Sequence, residues 1–178
     1  MTTLIDLDAF LMRALEQRAK RHSSSPRPVR TAGAALALAS RCNATVITGS
    51  FLTPAYDPNR DVIIIPTPTR RLLRRPALLA TQILHELVHW SGAAARLNRP
   101  QSQKRYDAVY NREELTAEIG AVLLSFDLGI TQRPILPNHK YLAVYLNTLD
   151  RPDVDLHVAL SLAQQAVSFV HATANRSL

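Results

Sequence analysis

The spacing of apolar residues changes period twice along the chain. Leu4, Leu7, Leu11, Ala14 and Leu15 recur at helical intervals, which predicts an amphipathic helix over Leu4–Arg21. It runs into "KRHSSSPRP", a polar, proline-bearing linker. The small apolar residues of "TAGAALALASRC" predict a second helix over Thr31–Cys42, with Thr31 as its N-cap. The β-branched runs "ATVITG" and "DVIIIP" then predict two strands, joined by "SFLTPAYDPNR". "VIIIP" is apolar on both faces, as expected of an inner strand or of an edge strand pressed onto helices. After Pro66 the helical period returns. Pro76 suits the first position of a helix running to about Trp90. "SGAAARLNRPQSQKRYDAVYN" is a long connection, and the next helix is expected from Arg112 to about Asp127, closed by Gly129. A shorter helix over Tyr141–Leu149 and a last amphipathic one from Val154 to about Ala172 complete the reading. Few strands followed by many helices predict an α+β fold. The expected organisation is a helix and linker over residues 1–30, then one domain over 31–178. No internal repeat is present.

Composition narrows this picture. The 178 residues suffice for one domain with its own core, and 47% apolar content is ordinary for a globular chain. Lys and Arg number 21 against 14 Asp and Glu, a formal charge of +7. That balance suits nucleic acid, an acidic protein or an anionic surface, and equally a plain solvated face. It argues against blocking a nuclease by imitating DNA, which requires an acidic chain. Cys42 is the one cysteine, which excludes an intramolecular disulfide and a thiolate zinc cluster. No apolar run approaches the roughly 20 residues of a membrane span, and "MTTLIDLDAF" lacks the order of a signal peptide. A cytoplasmic protein, with no membrane partner, is the expectation.

The chemistry concentrates in "ILHELVHWSG". His85 and His89 stand one helical turn apart and therefore share a face, which suits two imidazoles meeting one zinc ion. Glu86 is rotated off that line, the placement of a general base acting on a water at the metal. A bare HExxH also occurs by accident in core helices, so a third ligand is the test. "NREELTAEIGAVLLSFDLG" offers one: Glu114 and Glu118 stand a turn apart among Ala117, Ala121 and Val122. Two carboxylates on an apolar face are costly unless they meet a metal or a charge. One glutamate is expected to bind the metal and the other to accept the free ring N–H of a ligating histidine. Glu114 is favoured as ligand and Glu118 as its supporting partner, with the reverse left open. Glu113 is expected to be solvated. Trp90 is expected to pack between the two metal helices, and Arg96 and Arg99 to anchor the following loop to an acidic residue such as Asp107.

Taken in order, "AYDPNRDVIIIP", "ILHELVHWSG", "ARLNR", "YNREELTAEIGAVLLSFDLGI" and "NHKYLAVYLNTLD" resemble the zincin-like metallopeptidase domain of the ArdC antirestriction family, over about Ala44–Phe169. That domain also occurs in plasmid primase-type and phage polyvalent proteins. The resemblance implies a gluzincin-like fold with a small sheet, an active-site helix and a glutamate helix. Glu114, Ala117 and Glu118 match the pattern of thermolysin-like and ImmA/IrrE peptidases, in which a ligand glutamate precedes a polar partner by four residues. ArdC-type members carry a separate N-terminal single-stranded-DNA-binding domain. The segment before Ala44 shows no match to it, so DNA binding is not carried over. Ala93, Ala94 and Ala95 replace the more polar residues usual after the motif.

The expected activity is zinc-dependent peptide hydrolysis, with one Zn2+ per chain held by His85, His89 and Glu114 and with Glu86 as base. His139 and Tyr141 in "NHKY" are candidate oxyanion donors, with Tyr106 and Tyr110 behind them. The expected partner is a protein or peptide substrate in a bacterial cell, in the setting of a plasmid or phage. The alternative is a zincin module with weak or no catalysis that meets DNA or a nuclease through Arg70, Arg71, Arg74 and Arg75 of "RRLLRR". That cluster lacks the interleaved aromatics that stack single-stranded bases. A structural zinc site without turnover is the third class, and Glu86 argues against it.

Overall fold

The β-branched runs build one small sheet. The computed structural model describes residues 7–21, 32–49, 54–67, 74–102, 104–105, 107–130 and 152–176. Within them, β1 (Thr45–Gly49), β2 (Ala55–Asp57) and β3 (Val62–Pro66) lie in the order β1-β3-β2. All of β3 is buried, because it is the inner strand. It pairs in parallel with β1, from Thr45 opposite Val62 to Gly49 opposite Pro66, and antiparallel with β2. Sequence periodicity predicted β1 and β3 but not β2. Three residues are too few for an alternating pattern to register. The turn into β3 is set by side-chain chemistry instead: the Asp57 carboxylate accepts from Asn59 N at 2.9 Å and Arg60 N at 3.2 Å.

Five helices are described: α1 (Leu7–Arg21), α2 (Ala32–Arg41), α3 (Pro76–Ser91), α4 (Ala108–Asp127) and α5 (Pro152–Arg176). With the small sheet they make the expected α+β architecture. α3 is the central element, packed against α2, α4, α5, β2 and β3. Its Leu79, Ile83, Leu84, Leu87 and Val88 are buried in the core. Pro76 opens it at the first turn, as its missing N–H favours. α4 begins one turn earlier than predicted, because the Asp107 carboxylate caps it by accepting from Tyr110 N at 2.7 Å. It ends as expected at Gly129, whose φ of 65° allows Ile130 N to reach Ser125 O at 2.8 Å. α1 buries Leu11, Ala14 and Leu15, and Asp127 at the end of α4 pairs with both Arg18 of α1 and His171 of α5. Cys42 is a core residue facing Val170 O at 3.4 Å, and burial pushes its thiol up to about 11. None of the described helices is long and apolar enough to cross a membrane. Thr31 and the Tyr141–Leu149 segment lie outside the described residues.

The close approach of α3 and α4 depends on one missing side chain. A Cβ at Gly120 would lie 2.7 Å from Val88 Cγ2 and 3.1 Å from Val88 Cγ1. Gly120→Val is therefore expected to cost about 1–3 kcal/mol by overpacking, read as a lower urea midpoint. Val88→Ala in the same chain should recover part of that loss. An unchanged midpoint for Gly120→Val would show that the contact does not limit the packing.

Candidate metal centre

Helix periodicity brings His85 and His89 to one face of α3, and the α3–α4 packing sets a row of glutamates opposite. The two imidazole rings have centroids 4.7 Å apart, and their Nε2 atoms approach to 3.1 Å. Glu114 faces both: one of its oxygens lies 3.6 Å from His85 Nε2 and the other 3.8 Å from His89 Nε2. One ligand atom from each of His85, His89 and Glu114 falls within 4.8 Å of the other two. Glu118 Oε1 lies 3.6 Å from His85 Nδ1, and Glu113 Oε1 lies 3.1 Å from His89 Nδ1. Each ring thus turns Nδ1 to a carboxylate and Nε2 toward the shared space. At His89, where Glu113 is within hydrogen-bond reach, the carboxylate selects the tautomer with the proton on Nδ1 and leaves the Nε2 lone pair for a cation. Glu118 acts on His85 through its charge. The residues fit a metal ion: two imidazole nitrogens and a carboxylate oxygen converge, each imidazole supported from behind.

The charges agree. Burial works against a charged imidazole at His85, but the carboxylates of Glu114, Glu118 and Glu86 outweigh it and push its pKa up to about 10. Burial would raise Glu114, yet His85, His89 and a hydrogen bond from Tyr110 bring it down to about 2. The negative potential that holds a proton on His85 equally favours a divalent cation in that place. Glu86 is buried on α3 beside His85, at 8% exposure, so its carboxylate belongs to this enclosed space.

Two expectations need correction. Glu113 is not solvated: it is 7% exposed and bonds His89 and Arg99. It sits one residue before Glu114, so helical rotation turns it toward the far edge of the His89 ring. Arg96 and Arg99 do not anchor to Asp107, which is occupied in capping α4. Arg96 reaches Asp61, Tyr56 and Trp90 O, and Arg99 reaches Glu113, Ser91 and Val88 O. Trp90 is buried in the core. Its ring centroid is 6.2 Å from that of Phe169 on α5, and the Arg96 guanidinium lies 4.0 Å over it. As the residue after His89 it is rotated about a quarter-turn off the metal face. The Glu113–Arg99 pair was missed from sequence; the available signal was an arginine shortly before a glutamate in an apolar helix. Arg74 and Arg75 are exposed at the start of α3. Arg70, Arg71, Tyr106, His139 and Tyr141 lie outside the described residues.

The MPTase-PolyVal family model, a zincin-like metallopeptidase, matches residues 34–161. The chain belongs to the zincin-like metallopeptidase family. Its helix pair and small sheet are those of a zincin-like domain. The crystal structure of the antirestriction protein ArdC from the R388 plasmid, in its Mn(II)-bound form, superposes with a TM-score of 0.66 at 27% identity, over 83% of this chain and 55% of that one. The metal-free form gives 0.63 at 25% identity, over 85% and 54%. The first of these neighbours is metal-bound, and in this chain His85, His89 and Glu114 form a group that could hold a metal ion. Among named relatives, the Sinorhizobium fredii protein y4eC is 33% identical over 90 residues, and the Escherichia coli DNA primase TraC is 30% identical over 129. The match covers 51% and 72% of this chain but only 29% and 12% of those proteins.

Proposed function

We propose that this zincin-like domain is a zinc-dependent peptidase of the ArdC type, acting on a protein target in the cytoplasm of a cell that carries a plasmid or phage. The observation behind this reading is the buried Glu86 next to two imidazoles whose Nε2 atoms converge with Glu114. His85, His89 and Glu114 would hold one ion, with Glu118 and Glu113 behind the two rings. Two imidazoles and one carboxylate suit zinc. When bound, the ion supplies Lewis-acid polarisation of a carbonyl and a lowered pKa for water. Glu86 accepts a proton as the water oxygen bonds to the carbonyl carbon. It then returns that proton to the amine nitrogen as the C–N bond breaks. Leu84, Leu87 and Val88, on the same helix, are fully buried in the core and hold the motif in place. His139 and Tyr141 remain the proposed oxyanion donors, with Tyr110 next, whose hydroxyl already bonds Glu114.

The test is cleavage of a quenched-fluorescent peptide library. Zinc-loaded protein is expected to cleave, chelation to stop it, and zinc to restore it. Zinc-loaded protein that cleaves no peptide or protein target would overturn the reading. A second reading rests on the exposed Arg74 and Arg75 and on the likeness to a DNA primase: the domain binds DNA or a nuclease. Binding to DNA that weakens steeply with salt, unchanged by Glu86→Gln, would favour it.

A further inference from the structure

The loop after α3 folds back onto the helix it has just left. Leu97 N bonds Ser91 O at 3.1 Å, Asn98 N bonds Ala93 O at 3.0 Å, and Arg99 N bonds Gly92 O at 2.9 Å. Asn98 takes the left-handed turn this needs, with φ of 48°. The result drives Arg99 inward to 6% exposure. Its guanidinium then spends its donors on four acceptors. Nε bonds Glu113 Oε2 at 2.9 Å, and Nη2 bonds Glu113 Oε1 at 2.7 Å. Nη1 bonds Ser91 Oγ at 2.9 Å, and Nη2 also bonds Val88 O at 2.6 Å. The group lies over Gly92, where any Cβ would meet Arg99 Nη2 at 2.6 Å and Cζ at 2.8 Å. Glu113 Oε1 also faces His89 Nδ1. A planar two-point clamp on a carboxylate fixes its rotation, which a lysine's point charge does not.

Resting on the metal-centre reading above, we infer that Arg99 is a positioning residue for metal capture. It locks Glu113 so that one oxygen faces His89 Nδ1, and His89 Nε2 is thereby aimed at the ion. The Ala93–Arg99 loop, which lies between the two helices that carry the histidines and the glutamates, is then part of what sets zinc affinity. The chain has two such supports of different build. Both stand on α4, but Glu113, which backs His89, is held by an arginine from the loop, whereas Glu118, which backs His85, has no such clamp among the described residues.

The test is zinc affinity of the full chain, measured by competition with a chromogenic chelator, with cobalt(II) absorption reporting ligand geometry. Arg99→Met and Glu113→Gln are each expected to weaken zinc binding by about 10–100-fold while still saturating at one ion per chain. Both should alter the cobalt spectrum. The double variant should be no weaker than the worse single, because the two residues act as one unit. Arg99→Lys keeps the charge in the pocket and serves if Arg99→Met does not fold. It too should bind weakly, because charge alone does not restore the clamp. Zinc affinity within about twofold of wild type in the folded Arg99→Lys and Arg99→Met proteins, against that expected loss, would overturn the positioning role. A wild type that binds no zinc would instead overturn the metal-centre reading beneath it.

Discussion

Glu86→Gln is expected to keep its zinc and lose its turnover. The substitution preserves size and hydrogen-bonding shape but removes the ability to accept a proton. General acid–base catalysis by a positioned side chain contributes about 10²–10⁴-fold, and that is the expected loss in kcat. Metal content should not follow, because Glu86 is rotated off the face shared by His85 and His89. Glu86 is also one of the carboxylates that raise the His85 pKa, so neutralising it should change zinc affinity far less than removing a ligand does. Metal analysis beside the cleavage assay separates the cases. Full zinc content with kcat down by at least about 10²-fold supports the base role. Full zinc content with unchanged turnover would remove Glu86 from the chemistry.

The second large effect separates the two glutamates on α4. Glu114→Ala is expected to abolish zinc retention through purification, since its oxygens face both Nε2 atoms. Glu118→Ala is expected to retain zinc with affinity lower by about 10–100-fold, since that residue faces His85 only from behind, at Nδ1. Thermal unfolding gives an independent reading. At a hundredfold excess over Kd, a bound ion stabilises the wild type by about 2.7 kcal/mol. The gain should vanish in Glu114→Ala and survive, reduced, in Glu118→Ala. Metal-free Glu114→Ala should itself unfold earlier than metal-free wild type at neutral pH, because the carboxylate that His85, His89 and Tyr110 hold at a low pKa is gone and its partners lose that contact. The zinc-dependent gain is therefore read within each variant. A reversed result, with zinc lost in Glu118→Ala and kept in Glu114→Ala, would exchange their roles.

Much of this was readable from local pattern. A helical period that places His85, Glu86 and His89 on α3 needs no tertiary information, because the side-chain directions follow from 3.6 residues per turn. The apolar run of β3, the proline opening α3 and the glycine closing α4 are likewise local, and the structure carries all three. What escaped were features without a local period. β2 is three residues long and exists because β3 offers it an edge. The early start of α4 is due to one capping carboxylate. Glu113 was misread because burial belongs to the fold: the same glutamate would be solvated on a free helix.

The sequence alone therefore determined the chemistry on offer: two imidazoles and a carboxylate on one helix, a pair of carboxylates on another, and no thiolate cluster. Its ordered motifs also pointed to the zincin-like family. The tertiary structure decided which partner each of these groups meets. Gly120 sets how closely α3 and α4 approach, since only a bare backbone fits against Val88. That approach brings Glu114 to both Nε2 atoms and Glu118 to one Nδ1. The turn at Asn98 and the bare Cα of Gly92 admit Arg99, and with it Glu113. The candidate donor types follow from residue type and helical spacing, which are written locally, while the choice between Glu114 and Glu118 stays open at that level. The orientation of those donors follows from contacts between separate elements, and only the packed chain brings those together.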